Sequence, residues 1–364
     1  MNVYFYHTRL TTESYQEWKQ GRFPGHILYG QPEMEKHGLS FVMHPYKHFA
    51  SRLRLMLYVL KCVLFCKEKY DAIYATSFRG LELVVFLHAL GLMRKPIYTW
   101  HHTAVTTNKR PLLEMASRLF YHGLDGMFFF CQRHIDESLL SCKAPKEKLH
   151  LVHWGPDLPF YDKILAHTPS CDSSSPVFIS TGKENRDMPT LIRAFNQLDN
   201  RLDIYIAEEC GGINYQQVIE AEHPASNVNV HYTGGGVMPY RLAQIVAECD
   251  CVVIPCLEYP YTVGLTTLVE ALGLGLPLIT SRNGYFPMDI EGEGIGITVD
   301  YEDVQGWKDA VLYLSAHPDE AKRMGAKARQ LAEQVYNMEI FAKEIAMVIK
   351  MKDKKHTEIW RKQR

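Results

Sequence analysis

Short apolar runs alternate with amphipathic segments along most of the chain. The runs have the length and the β-branched or aromatic content of buried strands. They cover residues 2–7, 71–75, 95–100, 125–131 and 149–152 in the first half, and residues 177–181, 202–207, 228–232, 251–255, 278–280 and 295–299 in the second. Helical periodicity fills most of the intervals between them. This alternation predicts an α/β protein of Rossmann-like domains with parallel sheets.

One predicted helix, which begins at Gly264 after the strand 251–255, carries the most specific polar pattern. Its apolar residues recur at i, i+3, i+4 and i+7 and predict an inward face: Leu265, Leu268, Val269 and Leu272. We expect Thr266, Thr267 and Glu270 to lie together on another face. Because the first N–H groups of a helix have no partner within it, the start of this helix favours an anion such as a phosphate.

Glu270 lies about 6 Å further along the helix axis than Thr266, at about 1.5 Å per residue. A carboxylate directly beside a phosphate would repel it. The spacing therefore favours a contact with a neutral diol one step along the ligand, such as the ribose hydroxyls of a nucleotide. The alternative is an ordinary amphipathic helix in which Glu270 is solvated.

A second candidate site follows the strand 177–181, where Gly182 turns the chain. Lys183 and Arg186 come next, and Asp187 is expected to cap the following helix. Two cations at a strand-to-helix turn suit a diphosphate, because lysine supplies a point charge and arginine a bidentate fork. Solvated surface charge is the alternative.

A glycine-rich segment at 234–236 follows the strand 228–232 and precedes Val237. Glycine allows the backbone to approach a planar ligand closely. Gly234 and Val237 are therefore candidate contacts as well.

In the first half, the strand 95–100 delivers His101 and His102 at its carboxyl end. Ligands of doubly wound sheets bind outside the carboxyl ends of the strands, so one histidine is expected to bind an oxygen or shuttle a proton there. The long loop predicted over residues 8–30 adds Gly25 and His26 as candidates. A structural histidine and an ordinary turn are the alternatives.

Residues 46–69 predict a basic amphipathic helix, whose apolar run is broken by Lys61 and is shorter than the roughly 20 residues that a membrane span needs. Such a helix either lies on anionic lipid or packs on a sheet with a basic outer face. The tail after residue 342 is apolar and then basic, and either contacts anionic lipid or frays.

The chain has 364 residues, which is long for a single core and predicts two domains. A Ser-rich, proline-bounded stretch at 166–176 has no periodicity and is typical of a linker. We expect a first Rossmann-like domain at residues 1–168 and a second one at 169–335. A C-terminal helix that packs on the first domain and a basic tail would occupy residues 336–364.

Charge and cysteine content narrow the possible partners and compartment. The 40 Lys and Arg and 41 Asp and Glu side chains give a formal net charge of −1, so no overall field attracts nucleic acid. Nine cysteines without paired spacing, and no signal peptide before them, indicate reduced thiols in a cytoplasmic protein. If the basic segments contact anionic lipid, the protein lies at the inner face of the membrane. Cys249, Cys251 and Cys256 cross a predicted buried strand, which indicates core packing rather than a metal site.

These features together resemble the retaining GT-B glycosyltransferases of glycosyltransferase family 4. The resemblance rests on the alternating α/β domains, the turn 182–187 and the segments 264–280 and 292–303. It is good over about residues 177–316 and looser over the first domain, where residues 149–157 match a strand and turn of the family. The resemblance implies the GT-B architecture, in which two Rossmann-like domains face a cleft. It assigns acceptor binding to the domain at residues 1–168 and binding of the nucleotide-sugar donor to the domain at 169–335.

The resemblance also assigns roles to residues. Glu270 would bind ribose hydroxyls, and His101 would lie near the transferred sugar. The implied catalytic set is His101, Lys183, Arg186 and Glu270. The implied donor contacts are Gly182, Lys183, Arg186, Gly234, Val237, Gly264, Leu265, Thr266, Thr267 and Glu270, with the threonines, Lys183 and Arg186 on the diphosphate.

The implied activity is transfer of a sugar from a UDP- or GDP-linked donor to a glycan or lipid-linked acceptor, with retention of configuration, in cell-surface polysaccharide or glycolipid synthesis. No cofactor or metal is implied, and the sequence has no Asp-x-Asp motif. The chain departs from the family in two places: Thr262 stands where the first motif glutamate is expected, and the usual glycine pair near residue 210 is altered. A nucleotide-sugar epimerase of the same fold and a weakly catalytic, nucleotide-sugar-binding partner subunit are the alternatives.

Overall fold

The structure is a computed structural model that describes residues 1–168, 175–234 and 237–362, with side chains as far as residue 351. It has two units. The N-terminal unit comprises Met1–Lys19, Gly25–Trp154 and Met338–Arg364, and the C-terminal unit comprises Gln20–Pro24 and Gly155–Asn337. Most of the predicted linker and two of the three glycines after the strand 228–232 lie outside the described residues. The domain boundaries given above stay predictions.

The N-terminal unit is built on a six-stranded parallel sheet. Its strands are β1 (Asn2–Tyr6), β2 (Ser40–Met43), β3 (Ala72–Ala75), β4 (Ile97–His101), β5 (Gly126–Phe129) and β6 (Leu149–Leu151). Its first helices are α1 (Thr11–Lys19), α2 (Gln31–Met34), α3 (Arg52–Leu64), α4 (Glu82–Ala89), α5 (Pro111–His122) and α6 (Gln132–Leu140), with short 3-10 turns at Gly25–Leu28, Glu35–His37 and Lys146–Lys148. The strand order is β2-β1-β3-β4-β5-β6, so the order reverses between β1 and β3.

Apart from Asn2 at the start of β1, the central strands of this sheet are buried along their whole length. Val3, Tyr4, Phe5 and Tyr6 of β1 are at most 1% exposed, and every residue of β3, β4 and β5 is buried. Strands covered on both faces need no polar alternation, which is why they are continuous apolar runs in the sequence. The predicted α/β class is confirmed for this unit.

Two features of the N-terminal unit differ from the sequence prediction. The segment 8–30, predicted as a loop, contains α1, and the edge strand β2 was not predicted at all. In α1 only Thr11 is buried, so the helix has no apolar stripe to reveal it. In β2 only Val42 is buried, which leaves no alternating pattern.

The C-terminal unit contains a second six-stranded parallel sheet and a small antiparallel hairpin. Its strands are β7 (Val177–Gly182), β8 (Arg201–Ile206), β9 (Glu209–Cys210), β10 (Ile213–Asn214), β11 (Val228–Tyr232), β12 (Cys251–Ile254), β13 (Leu278–Ser281) and β14 (Gly296–Val299). Its helices are α7 (Leu158–Leu165), α8 (Met188–Phe195), α9 (Tyr215–Ala221), α10 (Pro239–Ala247), α11 (Leu265–Leu274), α12 (Val304–Ala316) and α13 (Pro318–Gln334). The sequence prediction omitted α7, α9 and the hairpin β9–β10.

The large sheet of this unit has the order β11-β8-β7-β12-β13-β14, the order of dinucleotide-binding Rossmann folds. The order reverses between β7 and β12, and ligands of such sheets bind beyond the carboxyl ends of strands at this reversal. The chain leaves β7 into the turn 182–187 and leaves β12 into the loop before α11. Both segments singled out in the sequence therefore lie where this fold binds its ligands, and the α/β prediction is confirmed here as well.

The cysteines around β12 are part of the core. Cys249 is 8% exposed, Cys251 is 1% exposed and Cys256 is fully buried. Burial raises the pKa of the Cys256 thiol to about 11. The prediction that these residues serve packing is confirmed by their burial.

Helix α14 (Met338–Lys362) returns the chain to the N-terminal unit. Phe341, Ala342, Ile345 and Ile349 are almost completely buried. A Cβ placed on Gly30 would lie 2.5 Å from Phe341, so only glycine allows this close approach. The helix is therefore an integral part of the first unit's core.

An ion pair between His153 and Glu344 holds α14 and makes its docking sensitive to pH. Glu344 accepts hydrogen bonds from the His153 backbone N–H at 3.0 Å and from Nδ1 at 2.7 Å. The hydrogen bond to Glu344 raises the pKa of His153 above its usual value near 6.5. The stabilisation is complete below that value and is lost as the pH rises through the higher pKa of the folded protein.

Replacement of Glu344 by glutamine should therefore destabilise the protein more at pH 6 than at pH 8.5. Because both side chains are about one third exposed, the difference should not exceed about 1 kcal/mol in the free energy of unfolding. Urea unfolding at the two pH values measures it. An equal loss at both would show that the pair does not depend on the charge of the imidazole.

Candidate functional site

Helix α11 begins directly after Gly264, where both the backbone conformation and the packing disfavour a side chain. Gly264 caps the helix with φ +90°, and a Cβ at this position would lie 2.6 Å from the Ile254 side chain. The helix is packed closely on its other sides too, because a Cβ on Gly273 would lie 2.5 Å from Tyr161. The start of α11 is thus fixed relative to the end of β12.

The predicted inward face of α11 is confirmed by the burial of Leu265, Leu268, Val269 and Leu272. Thr266 is the only exposed residue in the first turn.

Two backbone N–H groups at the start of α11 have no acceptor in the described part of the chain. The Leu265 N–H donates to Thr262 O at 3.2 Å and the Leu268 N–H donates to Gly264 O at 2.9 Å. Those of Thr266 and Thr267 form no such bond. With the exposed Thr266 hydroxyl, they form a group of donors at the positive end of a helix dipole, which suits an anion.

The helical pattern predicted that Thr267 shares the exposed face of Thr266, and this prediction is wrong. Its side chain is buried at 3% exposure, and its hydroxyl donates to Thr181 O at 3.2 Å. Thr267 Oγ1 in turn accepts a hydrogen bond from Arg186 Nη2 at 3.2 Å. Its hydroxyl thus joins the end of β7 to α11 and positions Arg186.

The turn after β7 is shaped around the guanidinium of Arg186. Gly182 has φ +140°, and a Cβ there would lie 2.6 Å from the guanidinium carbon of Arg186. Tyr215 Oη accepts a hydrogen bond from the Arg186 backbone N–H at 3.0 Å. The next residue, Asp187, caps α8 as predicted, because its carboxylate accepts from the Thr190 N–H. The turn is therefore rigid at both ends.

Arg186 is a buried cation without an anionic partner. It is 5% exposed, and its guanidinium donates to the carbonyl oxygens of Thr181 at 3.3 Å and Glu184 at 3.0 Å, and to Thr267 Oγ1. It forms no ion pair with any of the residues that the structure describes. A buried charge is costly unless it is paired. An anion bound at this turn would pair with the buried charge.

The remaining cation of the turn, Lys183, is exposed and has no hydrogen bond or ion pair to described residues. Its ammonium group is exposed to solvent, in contrast to the buried, hydrogen-bonded fork of Arg186.

Glu270 lies one turn along α11 from Thr266 and is partly buried. Burial raises the pKa of its carboxyl group to about 8, and no described residue pairs with it. Burial therefore favours the neutral form of this carboxyl group at pH 7. A neutral carboxyl group near a phosphate avoids the repulsion that an ionised one would cause.

The raised pKa of Glu270 predicts that Glu270→Gln stabilises the folded protein above pH 4.5. The folded state keeps a proton that the unfolded chain has lost, so the stability of the wild type falls by up to about 1.4 kcal/mol per pH unit between pH 4.5 and 8. The glutamine variant has no such slope. Denaturant unfolding of both proteins across this range tests it, and a constant difference between them would contradict the raised pKa.

The other predicted donor contacts occupy neighbouring strand ends. Gly234 follows β11, and a Cβ on it would lie 3.6 Å from Glu208 Oε1 at the end of β8. Val237 is partly buried. No described contact joins either residue to Arg186, so their roles stay predictions.

In the N-terminal unit, His101 lies in the core rather than at an accessible strand end. It is 2% exposed, its ring packs against Phe78, Phe129 and Tyr121, and burial lowers its pKa to about 3. A direct contact with a sugar stays a prediction that this position does not favour.

Of the two histidines, His102 is the better placed to contact a ligand at the carboxyl ends of the strands. Its Nε2 lies 3.2 Å from Thr76 O and 3.5 Å from Tyr29 Oη, at the carboxyl edge of the sheet. Gly25 and His26, the other candidates of this unit, are both buried, and the His26 ring packs against Trp154 at 5.2 Å.

Sequence analysis did not identify two of the residues that hold Arg186 in place, Thr181 and Tyr215. Thr181 contributes a carbonyl oxygen, which no side-chain pattern encodes, and Tyr215 is 29 residues away. Thr262, which stands where the family's first motif glutamate is expected, is buried at 3% exposure.

Both segments of the candidate site lie within a match to a known protein family. Residues 174–331, which include the turn after β7 and α11, match the family model of glycosyl transferases group 1. No curated protein matches the chain.

Several solved structures share the whole fold. HepE of Anabaena, in complex with UDP and glucose, has 14% identity and a TM-score of 0.67 over 96% of this chain and 99% of its own. Sucrose-phosphate synthase of Thermosynechococcus elongatus has 13% identity and a TM-score of 0.71 over 96% and 98%. WaaG, a glycosyltransferase involved in lipopolysaccharide biosynthesis, has 12% identity and a TM-score of 0.63 over 96% and 99%.

Likeness at these identities shows a common fold. The predicted GT-B fold, with two Rossmann-like parallel sheets, is therefore confirmed, while the cleft between the domains stays a prediction. Together with the family match over residues 174–331, the fold supports a glycosyltransferase as the class of this protein.

Proposed function

We propose that this protein transfers a sugar, a hexose by family likeness, from a nucleoside-diphosphate donor bound by the C-terminal unit. The proposed acceptor is a glycan or a lipid-linked sugar bound by the N-terminal unit, as in the synthesis of a cell-surface polysaccharide or glycolipid. HepE was solved with UDP-glucose. This supports a UDP-linked donor here, with GDP as the alternative base. Retention of configuration and independence of metal belong to the proposal.

The observation that carries this proposal is the unpaired guanidinium of Arg186 beside the start of α11. Thr267 joins the two through hydrogen bonds of 3.2 Å. A diphosphate would accept hydrogen bonds from the Arg186 fork and from the N–H groups of Thr266 and Thr267. It would also supply the negative charge that the buried guanidinium lacks.

The same groups would act during sugar transfer. The bond between the anomeric carbon and the diphosphate oxygen breaks, and a bond to the acceptor oxygen forms. The acceptor's hydroxyl proton passes to the departing diphosphate. Negative charge therefore grows on the diphosphate in the transition state, where Arg186, Lys183 and the start of α11 stabilise it. Because Arg186 is already fixed, this stabilisation needs no rearrangement at the moment of reaction.

Glu270 would bind the ribose of the donor. Its distance along α11 from Thr266 equals one helical turn, about 6 Å, which is the step from a phosphate to the adjoining sugar. The ribose hydroxyls can accept from the neutral carboxyl group and donate to its carbonyl oxygen. This pairing explains how an acid is accommodated next to a diphosphate.

Thermal unfolding with a panel of nucleotide sugars tests the donor class. UDP-, GDP- and ADP-sugars are compared with sugar phosphates that lack the nucleoside, in the presence of EDTA. A donor at 100 times its dissociation constant should stabilise the protein by about 2.7 kcal/mol. No stabilisation by any nucleotide sugar would contradict the proposal, and stabilisation only without EDTA would contradict metal independence.

A second candidate function is binding of a nucleotide sugar without transfer, as in a partner subunit. The observation that favours it is the buried Thr262 at the position of the family's first motif glutamate. Both functions predict stabilisation by the donor. They differ in release of nucleoside diphosphate, which only the transferase produces when an acceptor extract is added.

A further inference from the structure

Helix α3 exposes apolar side chains on the face that points to solvent. Leu53, Leu57 and Leu64 recur at i, i+4 and i+11, and each is more than half exposed. Phe65, directly after the helix, is 76% exposed. The opposite face is buried through residues such as Val59. The helix thus has a second apolar face that its own unit does not use.

Cations without acidic partners lie beside these apolar residues. Arg54 and Lys61 project from the same side of α3 as Leu57, at about 100° per residue, and Lys67 and Lys69 follow the helix. None of the four forms an ion pair with a described residue, and the only acid in the segment 52–69 is Glu68. The exposed face therefore combines apolar contact area with uncompensated positive charge.

The adjacent helix extends this surface. Helix α4 packs against α3, and the segment after it exposes Leu90 at 59% and Leu92 at 74%. Because α3 and α4 run in the same direction between parallel strands, their C-terminal ends lie at the same edge of the sheet. Leu64, Phe65, Leu90 and Leu92 therefore belong to one edge.

We infer that the exposed face of α3, with the segments 64–69 and 90–92, docks on the surface of an anionic lipid bilayer. Large exposed apolar side chains mark contact surfaces, and cations beside them on a helix select an anionic interface. A second copy of this chain would bring like charges together. Nucleic acid would use the cations but leave the leucines exposed. No helix in the described part of the chain is long and apolar enough to span a bilayer, so the contact is peripheral.

Membrane docking is a property beyond sugar transfer. The cations and the apolar side chains make separate contributions to its free energy. Each cation near an anionic surface strengthens partitioning roughly fivefold at low salt. The leucines and Phe65 add apolar burial that salt does not screen. Binding should therefore weaken as salt rises without disappearing.

Flotation of the full-length protein with lipid vesicles tests the inference. We expect the protein to float with vesicles of phosphatidylcholine mixed with phosphatidylglycerol and not with phosphatidylcholine alone. Arg54→Gln with Lys61→Gln should lower the partition coefficient roughly twenty-fivefold. Leu57→Ser with Phe65→Ser should lower it at least about tenfold and remove the part that resists salt.

Matched variants control for general effects. Leu312→Ser removes a 48% exposed leucine of α12 in the C-terminal unit, and Lys322→Gln with Arg323→Gln removes two exposed cations of α13. Both should float like the wild type. Melting temperature and stabilisation by the donor should be unchanged in all variants, which separates a failure of docking from a failure of the proposed function.

Three outcomes would overturn the inference. The wild type does not float with anionic vesicles. The α3 variants float like the wild type, while Lys352→Gln with Lys354→Gln and Lys355→Gln in the C-terminal tail abolishes flotation. The apolar variants change the molecular mass measured by light scattering, which would assign the surface to contact between copies.

Discussion

Replacing Arg186 with glutamine is expected to lower turnover by about 10²- to 10³-fold, the range found when one charge-stabilising donor is lost from an active site. Glutamine retains N–H donors for nearby carbonyl oxygens and removes only the charge and the fork. The free energy of unfolding should stay within about 1 kcal/mol of the wild type or rise, because an unpaired buried charge is removed. Loss of activity without loss of stability is the signature of a residue kept for its ligand.

Steady-state release of nucleoside diphosphate measures this effect, and two variants bracket it. Arg186→Lys keeps the charge but loses the planar fork, and should retain intermediate activity. Arg193→Gln removes an exposed arginine of α8 that pairs with Glu222 at 2.6 Å, and should be as active as the wild type. Equal turnover in Arg186→Gln and the wild type would contradict the proposal that Arg186 binds the diphosphate.

Replacing Gly264 with alanine is expected to destabilise the protein by roughly 2–5 kcal/mol. A positive φ costs a non-glycine residue about 1–2 kcal/mol, and overpacking against Ile254 adds about 1–3 kcal/mol. The strain would act where β12 passes into α11, so donor binding should weaken as well. Chemical denaturation and donor titration measure the two effects.

Gly212→Ala is the matched control for this prediction. Gly212 has φ +84°, close to that of Gly264, but a Cβ there meets nothing within 4 Å. It should show only the backbone cost, about 1–2 kcal/mol, and leave donor affinity unchanged. If both variants lost the same free energy of unfolding, close packing around Gly264 would not explain the loss in Gly264→Ala.

The fold was predictable from sequence where burial is complete. The central strands of both sheets are covered on both faces, so their continuous apolar runs predict them directly. Helix α11 was also predictable, because Leu265, Leu268, Val269 and Leu272 repeat with the helical period and glycines bound the helix. Elements that bury little, such as α1 and β2, gave no comparable signal.

The candidate site was predictable in its parts but not in its connections. Charge and spacing identified Arg186, Glu270 and the start of α11. Periodicity alone placed Thr267 with Thr266, but the hydrogen bonds of Thr267 to β7 decide its orientation, and these join residues 86 positions apart. His101 was chosen for its strand end, yet strand alternation turns its ring into the aromatic core, while His102 follows at the edge. The raised pKa of Glu270 depends on burial by tertiary packing, which no local pattern contains.

Calorimetric titration of the preferred nucleoside and its diphosphate into the wild type and Arg186→Gln tests the central claim most directly. Charge-assisted hydrogen bonds to the diphosphate are worth about 1.5–3 kcal/mol each, so the diphosphate should improve affinity at least about tenfold in the wild type. We predict that Arg186→Gln binds the nucleoside with the affinity of the wild type, and that its affinity for the nucleoside diphosphate is about ten- to a hundredfold lower than that of the wild type. An identical gain from the diphosphate in both proteins would contradict the account.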